Sequence, residues 1–211
     1  MRENSEDKPI EFFAKFPNTE YNRLIVRHPR QDDSVFAMAY QDAANRLAST
    51  YRGQPIDDLM LLPFLMLYRQ AIELQLKEMI RTFASLRRRF HERNNLKLLP
   101  DAIETRLRDS RILGHNLEAL SREMLKHFHA LEFGEDFPAS TGELVKLLHD
   151  ADKRGTAFRY AGQLPEKQDR LDFPDLVERL DNEFRMLGAV EDSITEMYSA
   201  GPQPENESDW Q

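Results

Sequence analysis

LLPFLMLYRQAIELQLKEMI (residues 61–80) is apolar along most of its length, yet Arg69, Glu73, Lys77 and Glu78 punctuate it. Its apolar residues do not alternate, as a strand with one buried face requires. They step by three and four through Leu61, Leu65, Tyr68, Ile72, Leu76 and Met79, and beyond the stretch through Phe83, Leu86 and Phe90. Residues so spaced lie along one stripe of an α-helix. The spacing predicts a helix over Asp57–Glu92, roughly 50 Å long at the α-helical rise. Pro63 marks its first turn or a kink, since a proline deeper in a helix removes a backbone hydrogen bond.

The same reasoning places further helices on either side. One is predicted over Ser34–Tyr51, capped by Ser34 and ended by RGQP (52–55). A short one fits between Leu96 and Leu113. Gly114 and Asn116 introduce another, with Leu117, Leu120, Met124, Leu125 and Phe128 on its inner face. Ser140 and Glu143 stand in capping-box register for the next. Pro174 opens the last, whose stripe runs from Leu176 to Met197. Gly155–Phe173 has no helical period and reads as a short irregular or hairpin insert. Residues 1–33, broken by Pro9, Pro17 and Pro29, read as an irregular arm, and residues 200–211 as a disordered polar tail. The expected fold is all-α: an up-down bundle of about five helices over residues 34–199, with an insert before the last.

Composition narrows the function. The 211-residue chain is long enough for one packed domain. A net charge of -8 argues against a general nucleic-acid coat but permits one local basic patch. The absence of cysteine removes disulfides, thiolate metal sites and thiol nucleophiles. The N-terminus has no apolar core of a secretory signal. The longest apolar run, Leu59–Leu67, is well short of the ~20 residues of a membrane helix. A cytoplasmic protein is expected, without membrane contact. No Walker loop, dinucleotide fingerprint, nucleophile elbow or metal-ligand cluster occurs, so neither metal nor cofactor is expected.

Several polar residues carry two readings each. Arg69, Glu73 and Lys77 recur at i,i+4. They form either a surface ladder or a polar strip facing a groove or a dimer partner. LRRRFHER (86–93) is a basic helix end suited to the helix dipole, or a phosphate contact with Phe90 and His91 available for base stacking. His115 caps or packs a helix start, or presents its ring at an anion site there. Arg159 and Tyr160 in the insert either dock onto the bundle, Arg159 through Glu73, or contact a ligand.

RQAIELQLKEMI (69–80), GHNLEAL (114–120) and AFRYAGQ (157–163) follow one another in an order that resembles the HEPN superfamily of small prokaryotic helical domains. The resemblance spans residues 34–198. Its helix pattern Gln-Ala-x-Glu-x-x-Leu-Lys, its His-Asp-Leu helix start and its Arg-Tyr-Pro turn have counterparts here, with Asn116 in place of Asp and Ala161 in place of Pro. The resemblance implies a helical bundle that dimerises. It also implies nucleotide binding, partnership with a nucleotidyltransferase, or metal-independent RNase activity built on an Arg followed four to six residues later by His. Arg23–His28, Arg108–His115, Arg122–His127 and Arg122–His129 meet that spacing loosely. Arg122 and His127 fit it best, Arg122 stabilising a phosphate and His127 acting as general acid or base.

Three functions are therefore expected as alternatives. The first is a binding or regulatory module of a prokaryotic stress or phage-defence system. It recognises a nucleotide, RNA or a protein partner through Arg69, Glu73, Lys77, His115, Arg159 and Tyr160. The second is a toxin-like RNase using Arg122 and His127. The third is an oligomerisation scaffold with no ligand. A homodimer is expected in each, because the long helix outreaches a small bundle.

Overall fold

A computed structural model describes residues 32–159 and 170–201. The expectations for the N-terminal arm, Tyr160, Ala161 and the polar tail lie outside the described residues. Among those described there are six α-helices and no strand. They are α1 (Asp33–Ala48), α2 (Leu61–Phe90), α3 (Pro100–Arg108), α4 (Leu117–His129), α5 (Ala139–Ala151) and α6 (Phe173–Ala200). The all-α bundle is thus as the sequence predicts, with the short helix between Leu96 and Leu113 present as α3.

α2 is the axis of the bundle. It packs against α1, α4 and α6, and also meets α3 and a turn of 3-10 helix at Ala157–Arg159. The predicted helix Asp57–Glu92 is divided: Pro55–Met60 is 3-10 helix, and the α-helix proper starts at Leu61. Pro63 stands in the first turn of α2, where its missing N–H has no intrahelical partner to lose. Tyr68, Ile72, Leu76, Met79 and Phe83 are buried, as the stripe requires. Phe64, Ala71, Ile80 and Ala84 are buried too, on flanking lines of the same helix.

That wider burial overturns one expectation. A stripe buried on one side leaves a wet flank, but α2 is enclosed on several sides. Arg69, Glu73, Gln75 and Arg87 are all buried. By length and composition, Pro55–Phe90 reaches what a membrane span needs, which the uninterrupted apolar run did not suggest. In this fold it contains the central helix, whose buried Arg69, Glu73 and Arg87 meet partners inside the protein.

Capping follows the sequence in part. Asn116 caps α4 by accepting from Ala119 N at 3.0 Å, and Asp172 caps α6. α1 is capped by Asp32, not Ser34: the Asp32 carboxylate accepts from Val35 N at 2.9 Å. The Ser140–Glu143 capping box does not form, because α5 already starts at Ala139. Ser140 and Thr141 instead donate to Glu183 of α6. The Ser140 hydroxyl that looked like a helix-start signal thus joins Thr141 in tying two helices together.

Candidate functional site

Glu73 is 1% exposed and gathers donors from two parts of the chain. Arg69 Nη1 donates to its Oε2 at 3.0 Å, and Lys77 Nζ to its Oε1 at 2.8 Å. His115, in the loop before α4, places Nδ1 2.7 Å from the same Oε1. Burial alone raises the carboxyl pKa. The hydrogen bonds and charges of Lys77 and His115 outweigh that and hold it below its ordinary value. The predicted surface ladder is therefore an internal network.

Arg69 extends the network to the insert. Its Nη2 donates to the His115 carbonyl at 2.7 Å, and its Nε lies 3.2 Å from Asp152 Oδ2, off the line of a good hydrogen bond. Asp152 Oδ1 accepts from Thr156 N and Ala157 N at 2.7 and 2.9 Å. Asp152 and buried Phe158 thus dock the insert. One of the two sequence readings of Arg159 gave that work to it, through Glu73. Arg159 is exposed, and the Glu73 oxygens are taken by Arg69, Lys77 and His115.

Arg122 and His127 are not brought together. Arg122 is exposed, whereas His127 is 1% exposed and faces inward. His127 Nδ1 lies 3.1 Å from Arg87 Nη1. A guanidinium only donates, so Nδ1 accepts and the ring is the neutral Nε2–H tautomer. Nε2 then sits 3.1 Å from Glu123 Oε1, a close polar contact without hydrogen-bond alignment. The His127 ring, together with Arg106 donating at 2.6 Å, holds Glu123 well below the usual carboxylate range. His127 serves the interior. Arg122 instead lines a groove between α4 and α5 with His129, Lys126 and Lys146.

The basic run does form a surface feature. Arg81, Arg88, Arg89 and Arg93 line a 590 Å³ cleft beside α3, with Leu98, Pro100 and Ile103 as apolar wall and Glu104 at its edge. Arg81, Ser85, Arg88 and Arg89 are spaced i, i+4, i+7 and i+8, one face of α2. That spacing is legible in the sequence, but the basic run LRRRFHER by itself does not reach Arg81. Arg81 is bound to Asp33, Glu78 and Glu104. Arg88 has a buried Nε with no hydrogen-bond partner. Phe90 and His91 both pack on Tyr198, and His91 Nε2 meets its hydroxyl. Arg87 turns into the core toward His127.

A second hollow of 400 Å³ adjoins the cleft. Lys77, Arg81, Arg108, His115, Asp33 and Glu104 line it together with Leu74, Leu107 and Gly114. Arg81 and Glu104 belong to both hollows. Among the described residues, no group of three or more His, Asp or Glu side chains is arranged to hold a metal ion. Compared with known proteins, no family model matches the chain, and no curated protein or solved structure matches it.

Proposed function

We propose that this chain is a HEPN-like binding module whose ligand carries phosphate, seated in the cleft between α2 and α3. One observation carries the reading: Arg81, Arg88, Arg89 and Arg93 line a single cleft in a chain of net charge -8, and Arg88 keeps a buried, unpartnered Nε there. Orphaned buried donors are uncommon and call for an explanation. Guanidinium groups present donors in a fork that matches phosphate oxygens, and apolar walls strengthen such contacts by excluding water. The resemblance in the helix and turn motifs agrees with a nucleotide or an RNA end as ligand. In this reading the protein is a cytoplasmic homodimer of a prokaryotic stress or defence system.

Fluorescence anisotropy with a 5′-labelled RNA octamer tests the reading. Binding is expected to weaken about tenfold or more in Arg88→Ala, within the ~1.5–3 kcal/mol of a hydrogen bond to a charged group. Affinity is also expected to fall as salt rises. No binding at high micromolar protein in low salt, or an affinity indifferent to Arg88→Ala, rejects the cleft.

The groove between α4 and α5 favours a second reading, a metal-independent RNase. Arg122 and His129 both line it, and they also satisfy the loose Arg–His spacing. There Arg122 would stabilise phosphate charge and His129 would transfer protons. RNA cleavage in excess chelator that is lost in His129→Ala supports it. Cleavage untouched by that change, or none at all, removes it.

A further inference from the structure

A third hollow, of 440 Å³, lies where the end of α1 meets the start of α6, and it shares no lining residue with the arginine cleft. Its volume falls within the range of small-molecule sites. Tyr51, Phe173 and Val177 give it apolar walls, and Glu178 and Asp181 give it two carboxylates. Among the described residues no cation lines it.

The aromatic walls are held in place. Phe173 is buried and meets buried Phe64 edge-on, with ring centroids 4.9 Å apart. The Tyr51 ring lies 5.1 Å from Phe173. Tyr51 itself belongs to a braced loop. Arg52 N and Gln54 N both donate to Asp57 Oδ2, at 2.8 and 2.9 Å. The Arg52 guanidinium is committed to the carbonyls of Ser49 and Tyr51. Two fixed rings present π-faces, which attract cations.

Asp181 is oriented from one side. Gln41 and Asn45 of α1 donate to its Oδ1, and the hydroxyl of buried Tyr68, which donates to Asn45 Oδ1 at 2.7 Å, lies 3.3 Å from it. Burial pushes the Asp181 carboxyl pKa up, but the hydrogen bonds from Asn45 and Gln41 outweigh it and hold the group below its ordinary value. An uncharged amide oxygen would accept the same bonds, so the negative charge exceeds what the helix contacts require. Oδ2 pairs with Arg185 at 2.8 Å, and that side chain is 70% exposed. Exposed ion pairs contribute little, so a ligand cation can compete for this oxygen.

We infer that this hollow binds a small organic ammonium, whose nitrogen donates to Asp181 Oδ2 beside Glu178 and whose apolar body lies against Tyr51, Phe173 and Val177. An anion would be repelled, and a neutral body would leave the carboxylates without a partner. The ligand is opposite in charge to that of the arginine cleft, so the inference stands independently of the phosphate reading.

Tryptamine, tryptophol and indole-3-acetate test it, because they carry one indole body with a positive, a neutral and a negative end. Each is titrated into the isotope-labelled full chain at neutral pH and followed by amide chemical shifts. Tryptamine is expected to shift Tyr51, Phe173 and Val177 saturably, with tryptophol about tenfold weaker and indole-3-acetate weaker still. Asp181→Asn is expected to bring tryptamine down to the affinity of tryptophol. Glu178→Gln is expected to weaken tryptamine about threefold, and neither variant to move tryptophol beyond about twofold. Arg185→Ala removes the competing cation and is expected to tighten tryptamine about twofold, which a purely structural Arg185 would not do. Should Asp181→Asn fail to fold, the two exposed variants decide. Equal affinity for tryptamine and tryptophol, shifts centred elsewhere, or indifference to these variants overturns the inference. So does the absence of saturable shifts with tryptamine, phenethylamine and benzyltrimethylammonium at millimolar concentration. Tighter binding of trilysine than of all three amines would assign the site to a basic peptide and overturn the small-ligand reading.

Discussion

Arg69 Nε lies 3.2 Å from Asp152 Oδ2, and neither side chain is more than 5% exposed. The contact joins the middle of α2 to the end of α5. The same guanidinium serves Glu73 and the His115 carbonyl, so three segments meet on one buried cation. Removing a partner from such a cluster leaves charge uncompensated away from water, at roughly 3–5 kcal/mol. Asp152→Ala also strips the acceptor from Thr156 N and Ala157 N. It is expected to destabilise the fold by about that amount. Asp152→Asn, which keeps an acceptor oxygen, is expected to lose less. Urea denaturation followed by circular dichroism measures both, and a near-neutral Asp152→Ala would show the network to be dispensable.

Gly155 permits that junction. Its φ is +72°, and a Cβ would lie 3.0 Å from Arg69 Nη2. An L-residue in this left-handed region costs roughly 1–2 kcal/mol before any contact is counted. Gly155→Ala is therefore expected to destabilise by at least about 1 kcal/mol. It should also raise amide exchange at Thr156 and Ala157. Unchanged stability and exchange would mean that the turn adjusts freely around Arg69.

Two kinds of carboxylate give opposite responses to pH. Glu73 and Glu123 have lowered pKa values in the fold. Their contribution is present above the ordinary carboxylate pKa and is lost as pH falls through the lowered values. Glu191 is raised by burial, with Glu78 and Asp192 adding to the effect, although Thr82 and Gln75 donate to it. Its contribution is full below the ordinary carboxylate pKa and declines as pH rises through the raised value. Glu191→Gln is thus expected to raise the melting temperature relative to wild type at pH 7 to 8. The difference should shrink or reverse near pH 4. A difference independent of pH would remove ionisation of Glu191 as its cause.

The central helix could be read from Tyr68, Ile72, Leu76, Met79 and Phe83 because the three-and-four spacing of apolar groups reflects burial directly. Asn116 was legible for a similar reason: capping depends on neighbours in the chain. Burial of Glu73 was not legible. Spacing within α2 places it beside Arg69 and Lys77, but only the packing of α4 and the insert covers it. Ser140 misled because a hydroxyl three residues before a glutamate is also free to bond across to Glu183. The basic run suggested phosphate contact, while its division between inward Arg87 and cleft-lining Arg88 and Arg89 depends on what lies beside each face. Asp152 carried no local pattern at all, and its role arises only from meeting Arg69.

His127 provides a test that separates architecture from catalysis. Its Nδ1 accepts from Arg87, itself buried, and its ring fills space beside Glu123. His127→Ala removes an acceptor from a buried cation and opens a cavity, for an expected loss of roughly 2–4 kcal/mol. Arg122→Ala, on the exposed side of the same helix, is expected to change stability by less than about 0.5 kcal/mol. Guanidinium chloride titrations of both variants check the contrast. Should RNA cleavage be found, the pair also locates it. Loss of cleavage in Arg122→Ala at full stability points to the α4–α5 groove, whereas loss in His127→Ala alone, tracking its unfolding, reports the interior.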